Sequence, residues 1–377
     1  MQAIELVRDG LSYLVPFIFV LTLVVFFHEL GHFLVARLCG VRVLAFSIGF
    51  GPELVSWKDR SGTRWRIGAL PLGGYVRFFG DEGPASTPDR DATVTMTESD
   101  RRVSFHGKSV GQRAAIVAAG PIANFILAII IFAGVFWAVG QTVVAPKVDS
   151  VQPGSAAAAA GIQPGDEVLA IAGTKVDEFG DMQRLIGPNA GRTLTIVVRR
   201  DGRDLTLQAT PRSETRTNVM GEQHTMGVLG IRGGTGPGDV RTIRYGPAAA
   251  LGQGAAQTWD VVAKTMEYIG GIFAGQQSTD QLSGPLRIAE VSGEAARLGF
   301  QVLMNLAAVL SVSIGLLNLF PVPLLDGGHL LYFAIEALRG RPLSDRAQEY
   351  GFRIGLVLVA MLMLVATWND IVHLTSL

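Results

Sequence analysis

Four runs of residues in this chain are apolar, almost free of charge and long enough to cross a bilayer. Ala114 to Val139 contains no charged residue, and neither does Val302 to Leu325. Leu11 to Ala36 carries only Glu29, and Ile354 to Asn369 is a shorter uncharged run that can begin near Tyr350. At about 1.5 Å of rise per residue, a helix needs roughly 20 such residues to span the hydrocarbon core. One run could be the buried helix of a soluble protein, but four of them call for lipid. The composition agrees, with 49% hydrophobic and only 17% charged residues. The expected fold is a polytopic α-helical membrane protein with four transmembrane helices. The first run reads as a retained span. Glu5 and Asp9 stand where a signal peptide is basic, the apolar part is too long, and no small-x-small cleavage site follows.

Lys plus Arg is 32 and Asp plus Glu is 32. A balanced chain gives no reason to expect nucleic acid as a partner. Where the charges fall says more. Lys58, Arg60, Arg64, Arg66, Arg101, Arg102 and Lys108 lie between the first two runs, and Arg339, Arg341 and Arg346 between the last two. Both loops are therefore expected on the cytoplasmic side. Both termini and the long insert then face outward, which in a bacterium is the periplasmic side of the inner membrane. The expected segments are span one with its motif at 1–40, a cytoplasmic-side loop at 41–110, span two at 111–140 and an outer β domain at 141–211. A linker with amphipathic juxtamembrane helices follows at 212–301, then span three at 302–326, a cytoplasmic loop at 327–349 and span four at 350–373.

The first loop has its own pattern. Val41 to Ile48 and Thr63 to Phe79 are rich in β-branched and aromatic residues around the turn Asp59-Arg60-Ser61-Gly62, which predicts a hairpin or small sheet. Val76, Phe78 and Phe79 beside Gly73-Gly74 could dip into lipid as a re-entrant element where protein shields the backbone. Asp81 to Asp100 is polar and rich in Pro, Ser and Thr, as a loop would be. In the outer insert, Val143 to Pro211 reads as a compact domain, with strands from Thr193 to Arg199 and Arg203 to Ala209 joined at Asp201-Gly202. Ser213 to Val240 reads as linker. Trp259, Val262, Met266, Ile269 and Phe273 then share one helical face, suited to the membrane surface or to packing on the outer domain.

The residues with chemistry are His28-Glu29-Leu30-Gly31-His32. Two histidines four apart share a helix face and can converge on one Zn²⁺, with Glu29 placed to take a proton from water. Three ionisable groups in five positions of a transmembrane helix need a joint reason. A catalytic zinc site usually has three protein ligands. The third expected here is Asp326, in a run from Asn318 through Pro321 and Pro323 to Asp326-Gly-Gly-His329, at a depth that matches the histidines. The Asn318 amide could donate to a developing oxyanion, or could simply bond a neighbouring helix. His329 lies nearer the loop, in the second shell or solvent. Cys39 is the single cysteine, so no internal disulfide or all-thiolate site exists, and its own part is packing.

Gly161-Ile162-Gln163-Pro164-Gly165-Asp166-Glu167-Val168-Leu169 resembles the signature of bacterial, circularly permuted PDZ domains. That resemblance implies a groove around Gly161, Ile162, Gly165 and Asp166 that takes an extended peptide or C-terminus by strand addition. Together, the histidine motif, the Asn…Pro-x-Pro-x-x-Asp-Gly run and this insert resemble the site-2 protease family of intramembrane zinc metalloproteases. The likeness is strongest to the bacterial group that includes the regulator-of-sigma-E protease, and it covers essentially the whole chain. It implies hydrolysis of peptide bonds within transmembrane segments of single-span proteins, with His28, His32 and Asp326 as zinc ligands, Glu29 as base and Asn318 as a substrate-side donor. It also implies that Asn124, in Gly120-Pro121-Ile122-Ala123-Asn124, helps hold substrate backbone; Gly120 and Ala123 would serve equally as a small-residue packing surface. Gly73, Gly74, Tyr75 and Val76 match the family's re-entrant hairpin, which pairs with unwound substrate. The implied substrates are anti-sigma factors already cut on the outside, or remnant signal peptides. Better-known relatives carry two PDZ domains, whereas 212–250 has neither the length nor the strand pattern for a second. A non-catalytic PDZ-bearing scaffold has no use for Glu29 between two histidines, and a transporter would ordinarily show more spans or an inverted repeat.

Overall fold

The computed structural model describes residues 2–80, 96–217, 223–234, 238–275 and 284–376. In chain order these form α1 (Gln2–Leu38), β1 (Val43–Lys58), β2 (Arg64–Phe78), α2 (Glu98–Val103), α3 (Val110–Ala138), β3 (Gln141–Val144), β4 (Val148–Val151) and α4 (Ala156–Ala159). Next come β5 (Glu167–Ile171), β6 (Thr174–Lys175), α5 (Phe179–Ile186), β7 (Leu194–Arg200), β8 (Arg203–Ala209), β9 (Arg212–Thr217), β10 (Gln223–Val228), β11 (Ile231–Gly233) and β12 (Val240–Ile243). The chain ends with α6 (Pro247–Phe273), α7 (Pro285–Leu298), α8 (Phe300–Asn318), α9 (Asp326–Arg339) and α10 (Asp345–Ser376). Residues up to Val135 and from Pro247 onward make one compact unit, and Phe136–Gly246 make another. Of the polar loop expected at 81–100, residues 81–95 lie outside the described residues.

Four helices of the first unit are long and apolar enough to cross a membrane, over Gly10–Leu38, Val110–Ala138, Phe300–Asn318 and Arg346–His373. Their outward faces are apolar as well. Ile122, Ile126 and Ile130 recur every fourth residue on the exposed side of α3, and Val357 and Leu364 of α10 are 63% and 72% exposed. Patches this large are stable against lipid and unstable against water.

The third span is shorter than its apolar run. It stops at Asn318 because Pro321 and Pro323 lack the N–H a continuing helix needs and crowd the preceding turn. The chain turns and restarts as α9 at Asp326, so a helix fills much of the stretch expected to be a cytoplasmic loop. On α6 the buried positions are Ala250 and Thr258, with Gly254 between them so close to the Ile129 carbonyl of α3 that a side chain there would overlap it. Trp259 and Met266, of the expected apolar face, point outward. Small residues permit the close helix contact, and the large ones are left for the surroundings.

β1 and β2 follow α1 directly. Phe46 pairs with both Val76 and Trp65, Ser47 with both Tyr75 and Arg66, and Ile48 with both Gly74 and Ile67. The two long strands thus double back into four segments, with 74–78 paired on one side only among the described residues. Phe46 stacks on Trp65 at 4.4 Å and meets Phe33 of α1 edge-on at 5.7 Å, which fixes the sheet to the helix carrying the histidines. Between α1 and α10 lies α7. Arg297 sits 4.7 Å over the Tyr13 ring of α1. Asp370 of α10, fully buried, accepts from the N–H groups of Gly284, Leu286 and Arg287 at 2.8, 3.0 and 3.2 Å, and so caps the start of α7.

The second unit is built on a four-stranded sheet in the order β6-β5-β7-β8. Its core includes Val148, Val168, Ile171, Met182, Ile196 and Val198. Residues 212–243, expected as linker, instead carry four strands. β9 and β10 form a hairpin, β11 pairs with β4, and β12 pairs with β3. β11 and β12 join the unit by long-range pairing, and all four strands belong to it and do not begin another.

Candidate metal centre

His28 and His32 are one helical turn apart on α1, and Asp326 is the first residue of α9. Their ligand atoms converge. His28 Nε2 lies 3.2 Å from His32 Nε2, and Asp326 Oδ2 lies 3.1 Å from the first and 3.6 Å from the second. Asp326 Oδ2 is buried yet makes no hydrogen bond. An orphaned carboxylate oxygen aimed at two imidazole nitrogens is costly unless a cation joins them. Two histidines and a carboxylate are also a donor set that suits zinc. These residues fit a zinc ion.

The local sequence explains why the aspartate reaches the histidines. Gly327 and Gly328 let the first turn of α9 sit directly on the backbone of Leu319, Phe320 and Val322, where any Cβ would overlap a carbonyl. On the opposite side, Gly120 of α3 faces the imidazoles. A side chain there would collide with His32 and press on His28.

A cavity of about 160 Å³ opens at this cluster. Its walls include His28, Glu29, His32 and Asp326, the strand residues Gly74, Tyr75, Val76 and Phe78, and His329 one turn into α9. Glu29 borders the cavity beside the ligands and interacts with the Val76 backbone N–H. Gly74 passes against the Glu29 and Val25 side chains with no room for one of its own. The edge segment 74–78 therefore runs along the metal cluster.

Other residues singled out in the sequence are placed differently. Asn318 does not line the cavity, and its amide donates to the Ile314 carbonyl of its own helix at 3.0 Å. Asn124 is fully buried, with its amide nitrogen 3.2 Å from His28 Nδ1. In the second unit Ile162 is 3% exposed and belongs to the core. Asp166 is wholly buried, held by Arg200 through two contacts of 2.7 Å and by the Gln163 N–H at 2.9 Å. Burial alone would raise its carboxyl, but the Arg200 and Gln163 hydrogen bonds outweigh that and hold it below the usual carboxylate range. Gly161 and Gly165 adopt the left-handed conformation with φ of 79° and 95°. The side chains of Ile162 and Asp166 thus turn inward and lock the turn before β5, so only the backbone here is open to a peptide of the kind expected from sequence.

Sequence reasoning missed the Ile116 carbonyl, which accepts from His32 Nδ1 at 2.9 Å. It set Gly120 in a motif near the catalytic core or on a packing surface between helices, without showing that it faces the imidazoles. The available signal was the spacing of 116, 120 and 124 on one face of α3, with Asn124 the single amide in that run.

Comparison with known proteins agrees with this geometry. The model of peptidase family M50 matches residues 16–362. A protein of Agrobacterium fabrum with a provisional designation as a zinc metalloprotease is 51% identical over 96% of both chains. One of Rhizobium meliloti with the same designation is 50% identical over 97% of this chain and 98% of its own. The metalloprotease MmpA of Caulobacter vibrioides is 41% identical over 95% of each. The chain belongs to peptidase family M50, the site-2 protease group of membrane zinc metalloproteases. It is a multi-pass zinc metalloendopeptidase of the bacterial inner membrane, with His28, His32 and Asp326 as its zinc-binding triad.

Proposed function

We propose that this protease cuts single-span membrane proteins inside their transmembrane segment, after an earlier cut has removed their outer part, and that anti-sigma factors are its main substrates. The observation that carries the reading is the edge segment 74–78 beside the metal cluster. A helix hides its carbonyls in intrahelical bonds, so a substrate must unwind before it can be cut. Added as a strand to Gly73, Gly74, Tyr75 and Val76, the unwound chain recovers backbone hydrogen bonds and runs past His28, His32 and Asp326. When bound, zinc supplies Lewis acidity, which makes water a competent nucleophile at neutral pH and polarises a carbonyl. Glu29 takes the proton from water and returns it to the leaving amine. Asn318, near the end of α8, donates its free amide hydrogen to the developing oxyanion once substrate is in place.

In this reading the basic segments 41–110 and 327–349 face the cytoplasm. The second unit is a PDZ-like periplasmic domain that meets peptides or trimmed C-termini, and both termini lie on that side. Clearance of remnant signal peptides is the competing use of the same site.

Strand pairing has a geometric signature. With Tyr75→Cys in a Glu29→Gln, Cys39→Ala background, cysteines scanned along a substrate span should cross-link at every second position, as side chains alternate in a strand. A helical period of three to four, or no pattern, would contradict the pairing. Which spans accumulate in membranes of cells carrying Glu29→Gln, anti-sigma factors or signal peptides, separates the two substrate classes.

A further inference from the structure

α3 meets the two zinc-binding imidazoles at three positions on one face. The Ile116 carbonyl accepts from His32 Nδ1 at 2.9 Å. Gly120 leaves the space that both rings occupy. One turn further on, the carboxamide of Asn124 lies 3.2 Å from His28 Nδ1, and its Oδ1 is buried with no hydrogen-bond partner. A neutral imidazole that offers Nε2 to a cation carries its proton on Nδ1. His28 Nδ1 must then donate, and an amide N–H cannot receive it. The oxygen and nitrogen of a carboxamide have nearly the same shape, so the side chain fits equally well turned about its terminal bond. Either orientation leaves one amide atom without a protein partner, but only the one with Oδ1 toward His28 is compatible with metal at Nε2.

We propose that Asn124 is a positioning residue for the metal centre: its Oδ1 accepts the Nδ1 proton of His28, as the Ile116 carbonyl accepts that of His32. α3 thus sets the tautomer and the direction of both imidazoles. The residue is well held for this part. Ser311 of α8 donates to the Asn124 backbone carbonyl at 2.8 Å, and Gly315 leaves α8 close enough that a Cβ there would lie 3.1 Å from that of Asn124. Asn124 is fully buried behind His28 and does not itself line the cavity, which separates this part from the substrate contact expected of it from sequence. The inference rests on the zinc reading of the site.

The test uses the full chain in detergent, stripped of metal. It is titrated with Zn²⁺ against a chromophoric chelator and with Co²⁺ by its d–d absorption. Loss of an outer partner to a ligating histidine typically weakens metal binding by about 10–100-fold, which is the loss expected for Asn124→Leu. Asn124→Asp keeps an acceptor on His28, as in carboxylate–histidine–zinc triads, and should stay within about threefold of the wild type with the same cobalt spectrum. Unchanged zinc affinity in folded Asn124→Leu, with only KM raised, would overturn the proposal and return Asn124 to the substrate. If Asn124→Leu does not fold, Asn124→Asp decides alone: a tenfold or larger loss would mean that the amide N–H matters, and the proposal fails. Wild-type protein that binds no zinc would overturn the reading of the site, and this inference with it.

Discussion

His28 and His32 work as a pair only because residue 120 has no side chain. Any Cβ at that position on α3 would enter the space of both imidazoles. Gly120→Ala should therefore weaken zinc binding by at least the tenfold typical of a disturbed ligand environment, and Gly120→Val should abolish it, with the chain still inserted in the membrane. Zinc content of the purified variants reads this directly. Full zinc occupancy in Gly120→Val would mean that α3 does not hold the rings as described. The ligands themselves were legible in the sequence. A His-Glu-x-x-His run in an apolar span and a lone aspartate at matching depth have few other uses. The supporting atoms were not, because a backbone carbonyl such as that of Ile116 and an absent side chain at Gly120 leave no mark in a residue list.

Elements were legible where a pattern is local. Uncharged runs revealed the four spans, and the Pro321/Pro323 pair marked the break before Asp326. Some of what escaped was set by partners far away in the chain. β11 and β12 are short and sparsely apolar, and are strands because β4 and β3 lie beside them. On α6, the sequence marked the apolar face of Trp259 and Met266, which is exposed, and gave no sign of the contact that Gly254 makes with α3. The turn before β5 shows the same dependence. The sequence set Asp166 at a groove without showing what holds its side chain, which is Arg200 on β7. Because that pairing holds the Asp166 carboxyl below its ordinary value, it contributes stability that is complete above the unfolded carboxylate pKa of about 4. The contribution is lost as pH falls through the lower, folded value. Asp166→Ala removes charge-assisted hydrogen bonds to Arg200 and should cost about 1.5–3 kcal/mol. Hydrogen exchange read by mass spectrometry should show faster exchange across 161–168 in the variant at neutral pH. In the wild type the same loss of protection, taken relative to intrinsic exchange, should appear only once pH falls below the ordinary carboxylate range. Equal protection in the two proteins at pH 7 would contradict it.

At the scale of the whole molecule, the first unit turns lipid-compatible faces outward and gathers His28, Glu29, His32 and Asp326 into one inward cluster. Helices α1, α3 and α10, the edge of β2 and the turn after the two prolines line a cavity that holds Glu29 and three metal ligands. The account as a whole rests on that cavity being where peptide bonds are cut. The most direct measurement is fragment mass from purified protein in liposomes, given a tagged single-span substrate without an outer domain and compared with Glu29→Gln. Cleavage within the span is predicted, abolished by chelation and restored by zinc. Glu29→Gln should lose about 10²–10⁴-fold in rate, as removal of a general base does, while keeping one zinc per chain. Cleavage that survives complete zinc removal, or a Glu29→Gln protein that cuts at the wild-type rate, would contradict the account.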